Sequence, residues 1–216
     1  HGETLMPPDR AALAPARLAD ALDDLRDHLQ IDRWLICGQS VGAGLSLRYA
    51  IDYPDRVIGQ IFTNANAVLR SYPDEAELAA HAERVARLRD AKARPFDRET
   101  IHPRLAKRFP REMRARLVRV VESMDPVAFA TFIDAVMPHL SLRYELPRNR
   151  VPICLINGRF ERRFQPLRDW CKAAIPGIEI HDLDGGHSVN IEAPEAFDAA
   201  ALGFLKRCVE SSYTHI

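Results

Sequence analysis

The pentapeptide Gly38-Gln39-Ser40-Val41-Gly42 places a serine between two glycines at a spacing suited to covalent chemistry. It follows the apolar run 34–37 and precedes an amphipathic stretch over 45–53, so it reads as a sharp strand-to-helix turn. Such a bend needs small residues on both sides, because a Cβ there strikes neighbouring backbone. Its apex residue projects at the carboxyl end of the strand, over the positive end of the following helix. A serine hydroxyl is a weak nucleophile at neutral pH and needs a base, normally a histidine oriented by a carboxylate.

Two downstream loops offer those groups. Gly158-Arg159-Phe160-Glu161 follows the apolar run 151–157, and Gly185-Gly186-His187-Ser188 follows a shorter run near 178–181. In a parallel sheet every strand ends on the same edge, so loops after three strands gather at one rim. Ser40, His187 and Glu161 are therefore the candidate nucleophile, base and orienting acid. His102, His139 and His181 lack a comparable loop setting. Glu161 has an alternative as a surface partner of Arg162 or Arg163, and Asp134 and Asp184 are lesser candidates for the acid.

The elements that must hold these residues alternate at both ends of the chain. Residues 15–29 place Leu18, Leu22, Leu25 and Leu29 at helical spacing, with Pro15 in the first turn. A strand over 33–37, the turn, a helix to about residue 52 and a strand over 57–62 follow. Strand signals then vanish, and helices are expected near 74–92, 98–108, 110–123 and 125–137. The strand pattern resumes at 151–157, followed by a helix over 165–174, a strand over 178–181 and a helix over 193–207. This reads as an α/β core in two parts, 1–66 and 148–216, around a helical cap over 67–147.

Composition narrows the function classes. Hydrophobic residues make up 47% of the 216 and charged residues 28%, as in soluble globular domains. Lys+Arg and Asp+Glu are both 30, which argues against nucleic acid as a partner. No apolar run approaches the ~20 residues needed to cross a bilayer. The polar opening carries no signal-peptide pattern, and the widely spaced Cys37, Cys154, Cys171 and Cys208 match neither a zinc motif nor a small disulfide scaffold. A reducing cytoplasm is the expected setting.

The stretches LICGQSVGAGLSLRYAIDYPDRV, VPICLINGRFERRF and GGHSVNIEAPEAF together resemble the α/β-hydrolase superfamily, in the branch with a helical cap after the sixth strand. The order Ser, acid, His matches that family's arrangement. The resemblance implies a mostly parallel sheet, with the acid loop after the seventh strand and the histidine loop after the eighth. It departs from the family in carrying Glu161 where most members have aspartate. It also implies that His1-Gly2-Glu3-Thr4 corresponds to the loop after the fourth strand. The first four strands, and the His-Gly loop that donates one oxyanion-hole N–H, would then come from elsewhere, while Val41 supplies the other N–H. A companion N-terminal polypeptide of roughly 50 to 80 residues, or strands exchanged in a homodimer, is the expected partner.

The activity so implied is hydrolysis of a small carboxylic ester, thioester or lactone by a Ser-His-Glu triad, without metal or organic cofactor. Two alternatives stay open: a carbon–carbon bond hydrolase of the same fold, and a binding module that captures a ligand or partner without turnover. The basic run with Arg104, Lys107, Arg108, Arg111 and Arg114 either favours an anionic substrate or is a solvated helix face. Phe129, Phe132 and Met137 fit a pocket lining or ordinary core packing.

Overall fold

A computed structural model describes residues 5–7, 9–90, 96, 99 and 102–213. His1, Gly2, Glu3 and Thr4, and with them the expected oxyanion-loop resemblance, lie outside the described residues. The chain divides into two compact units, one drawn from His1–Ala14 and Tyr72–His139, the other from Pro15–Ser71 and Leu140–Ile216.

The second unit is an α/β layer. Helix α1 (Pro15–His28) leads to strand β1 (Trp34–Gly38), helix α2 (Val41–Asp52), strand β2 (Val57–Thr63) and the short helix α3 (Asn66–Leu69). After the helical segment come β3 (Ile153–Gly158), α7 (Gln165–Ala174), β4 (Glu179–Leu183), α8 (Val189–Glu192) and α9 (Pro194–Tyr213). The four strands are parallel in the order β1-β2-β3-β4, with Gly38 beside Phe62, Thr63 beside Ile156 and Gly158 beside Leu183. Every strand therefore ends at one rim. The central strands β2 and β3 are almost wholly buried and mostly apolar, as strands covered on both faces are, with Gln60, Thr63 and Asn157 as buried polar residues among them.

Alternation along the strands sends side chains to two cores. Ala19, Tyr49, Ala50, Val57 and Val151 form one beneath α1 and α2, joined by Trp34 and Ile36. Ile61, Cys154, Ile156, Val189, Phe204 and Cys208 form the other beneath α9, joined by Leu35. The leucine stripe expected for α1 is only partly its packed face. Ala19 and Arg26 are buried, whereas Leu25 and Leu29 are exposed. The Arg26 guanidinium bonds Asp23 and the Ile31 carbonyl, so its stem covers core that a leucine would otherwise cover.

The helical unit holds α4 (Glu75–Arg89), α5 (Arg111–Glu122) and α6 (Pro126–Val136). Asp74 and Glu77 form a reciprocal cap at the start of α4, which packs on α6. The helix expected over 98–108 does not form among its described residues, where only a 3-10 turn at Pro103–Leu105 stands. Pro103 pushes His102 out of the helical region and has no N–H of its own, so a helix cannot run through. No helix among the described residues is long and apolar enough to cross a membrane.

Candidate active site

Ser40 sits at the N-cap of α2 with φ 56° and ψ −118°, a left-handed conformation unusual for a residue with a side chain. Holding it there costs about 1–3 kcal/mol, sustained by the packing around the bend. Gly38 is part of that packing: a Cβ on it would strike Ser46 Oγ, the Gly42 carbonyl and Ala43 Cα. The matching expectation for Gly42 does not hold, since a Cβ there meets nothing within 4 Å. The steric demand of this elbow is one-sided. Val41 opens α2, where the first peptide N–H groups have no intrahelical acceptor and point toward the rim.

The histidine and acid loops are built against each other. A Cβ on Gly158 would collide with the carbonyls of Gly185 and Gly186, so only glycine allows the two loops to pass this closely. Arg159 N–H donates to the Leu183 carbonyl at 3.0 Å and Phe160 N–H to that of Gly185 at 2.9 Å. In the histidine loop, Gly186 N–H donates to Glu192 Oε2 at 2.8 Å. Gln39, adjacent to Ser40, donates to the His187 carbonyl at 3.3 Å and fastens the elbow to the same loop.

These contacts bring the expected acid onto the expected base. His187 Nδ1 lies 3.1 Å from Glu161 Oε2 and 3.2 Å from Oε1. An ionised carboxylate only accepts, so Nδ1 carries a proton, and in the neutral ring the lone pair then lies on Nε2. The Glu161 side chain is 18% exposed. Burial alone would raise its carboxyl, but the hydrogen bond and charge of His187, with the amides of Asn64 and Asn66, outweigh that and hold it below the ordinary value.

The other carboxylates are engaged elsewhere. Asp134 belongs to the helical unit and pairs there with Arg10 at 2.9 Å and Arg89 at 3.2 Å, with His81 at 3.8 Å. Asp184 is an exposed partner of Arg159 at 2.9 Å. His102 is buried and accepts from Arg104 N–H, and His181 contacts Glu179 on β4. Phe129 stacks edge-on against Phe96 and Phe132 is buried within the helical unit, which matches core packing. Arg104, Lys107, Arg108 and Arg111 are exposed and Arg114 is half-buried.

The loop after β2 adds groups to the site that no motif in the sequence marks. Asn66 donates to Glu161 Oε1 at 2.7 Å. Asn64, fully buried, exchanges two hydrogen bonds with the Gly158 backbone, at 3.0 and 2.9 Å. Gln165 donates to the Glu161 carbonyl at 3.0 Å. A signal was present, because Asn64 and Asn66 stand directly beyond a buried strand that ends at the same rim.

Comparison with known proteins agrees with this architecture. A putative 2-succinyl-6-hydroxy-2,4-cyclohexadiene-1-carboxylate synthase of Bacillus subtilis (strain 168) is 23% identical over 222 residues, covering 95% of this chain and 77% of the relative. Carboxylesterase YbfK of the same organism is 24% identical over 206 residues, covering 92% of this chain and 66% of the relative. Among solved structures, MenH from S. aureus superposes with a TM-score of 0.83 at 21% identity, over 96% of this chain and 80% of that one. The sequence pattern of the alpha/beta hydrolase fold matches residues 3–194, and the chain belongs to that family.

Proposed function

We propose that the protein is a serine hydrolase acting on a small carboxylic ester, thioester or lactone. The observation that carries this reading is the Glu161–His187 contact at 3.1 Å, on the rim where the Ser40 elbow is tied to the histidine loop by Gln39. In this mechanism Ser40 Oγ attacks the carbonyl carbon while His187 Nε2 takes the hydroxyl proton. Glu161 holds the ring and stabilises the imidazolium as it forms. The Val41 N–H, with a second donor, receives the charge on the carbonyl oxygen. His187 then returns the proton to the leaving oxygen or sulfur. Water attacks the acyl-serine with His187 again as base, releasing the acid.

The relative named a carboxylesterase supports an ester as substrate. The relative named a synthase of a cyclohexadiene carboxylate favours a second reading, in which the same base and oxyanion donors act on a cyclic carboxylate or on a carbon–carbon bond. The open edge of β1 supports one further element of the proposal. Among the described residues β1 pairs only with β2, and Trp34, Leu35, Ile36 and Cys37 keep an exposure that β2 does not. An extended segment of a companion polypeptide, or of a second copy, adds to this edge and brings the second oxyanion donor.

A fluorophosphonate probe together with a panel of short-chain p-nitrophenyl esters tests the central claim. Ser40→Ala is expected to abolish both labelling and ester turnover with an unchanged circular dichroism spectrum. Turnover retained in that variant refutes the nucleophile assignment. Labelled Ser40 without turnover of any ester favours the second reading.

A further inference from the structure

Away from the Ser40 rim, β3 and β4 bring together three side chains of metal-ligating type. Cys154 and Glu179 are partners in the parallel ladder, and His181 lies two residues beyond Glu179 on the same face. The Cys154 sulfur, a Glu179 carboxylate oxygen and a His181 ring nitrogen all lie within 4.8 Å of one another. Ligands bonded to zinc at its usual distances sit about 3.3–3.8 Å apart in a tetrahedron, so small rotamer adjustments bring these three into range. Their surroundings are graded from dry to wet. Cys154 is fully buried, while the His181 and Glu179 side chains are 34% and 32% exposed, which leaves solvent a route to a fourth position.

One cationic side chain, Arg207, already stands at this point. His181 Nε2 and Arg207 Nη2 each lie 2.5 Å from the same Glu179 oxygen. Arg207 is 57% exposed on a flexible tether from α9, and an ion pair so open to water is a weak competitor for a carboxylate. We infer that Cys154, Glu179 and His181 form a three-ligand site for a zinc-class divalent cation, with the Arg207 guanidinium standing in the cation's place until one binds. The donor set defines the class. A thiolate with an imidazole suits zinc, whereas magnesium and calcium prefer oxygen donors alone. Loading transfers the Cys154 thiol proton to solvent as the sulfur–metal bond forms, and Arg207 turns outward. None of the three ligands belongs to the proposed catalytic set, so this site stands or falls independently of the hydrolase reading.

The test uses the full chain, stripped with a chelator and titrated with zinc alone against a chromophoric competitor. Cobalt(II) then serves as a spectroscopic probe of thiolate ligation. Binding of one equivalent is expected, with a thiolate-to-cobalt absorption band that disappears in Cys154→Ser. Cys154→Ser and His181→Gln should each weaken zinc binding roughly tenfold or more, and both should keep the ester turnover of the parent. Arg207→Gln should bind zinc more tightly, and unchanged affinity there overturns its gating role. Absence of zinc binding, or binding that survives Cys154→Ser and His181→Gln together, overturns the site.

Discussion

At the scale of single residues, the arrangement around His187 turns on which ring nitrogen holds a proton. Glu161 faces Nδ1 and fixes the tautomer that leaves Nε2 basic. Glu161→Gln presents an amide that can donate to Nδ1 and select the opposite tautomer. Its kcat should fall by about 10⁴ with little change in KM, measured in steady-state ester hydrolysis. Asn66 acts through Glu161, as the donor that holds Oε1 at 2.7 Å. Asn66→Ala is expected to lower kcat with KM nearly constant, and Asn66→Gln to restore less than the native residue because its amide sits one methylene further out. The same variant has a signature in acid. Glu161 is held below its ordinary value of 4.5, so its ionised form adds stability above that pH and loses the contribution as pH falls through the depressed folded value. Removing the Asn66 donor lets the folded value rise, and acid unfolding followed by tryptophan fluorescence should begin at a higher pH.

At the scale of elements, three crossovers converge because parallel strands share a direction, and two glycines decide how closely the loops approach. Gly158 admits the histidine loop against β3 and Gly38 admits α2 against β1, and in both cases an added methyl group meets backbone. Gly158→Ala and Gly38→Ala should each lose about 1–3 kcal/mol or more, read as a lower urea midpoint. Gly42→Ala provides the contrast. Its site is open and lies in the first turn of a helix, so the alanine variant should match or exceed the parent, by up to about 1 kcal/mol. Equal losses at all three positions would show that the bend itself, and not these contacts, limits the fold.

At the scale of the whole molecule, two properties favour association. Lys+Arg and Asp+Glu balance at 30 each, so long-range repulsion is weak near the sequence pI of about 7.2. Among the described residues the outer side of the edge strand β1 also pairs with no other strand, and half-exposed apolar residues lie beside it. The 24.4 kDa chain without a companion should show concentration-dependent mass in sedimentation velocity, strongest near neutral pH. Cys37→Lys, which puts a charge at an exposed position of that strand, should reduce it. A monomeric mass at every concentration, with full ester turnover, would remove the sheet-completing partner from the proposal.

The amino-acid order alone determined the local events. Apolar runs marked β1, β2 and β3 to within a few residues and a short mixed stretch marked β4, prolines and glycines marked their ends, and the Ser40, Glu161 and His187 loops each followed a strand, because these features depend on near neighbours in the chain. Tertiary structure alone decided what depends on distant ones. It turned α1 so that Ala19 and Arg26 pack where Leu25 and Leu29 were expected. It set Asn66 on Glu161 across 95 residues of sequence, and it gathered Cys154, Glu179 and His181 from two strands. Periodicity records which face a residue occupies, whereas the partner it meets there is chosen by how separate elements pack.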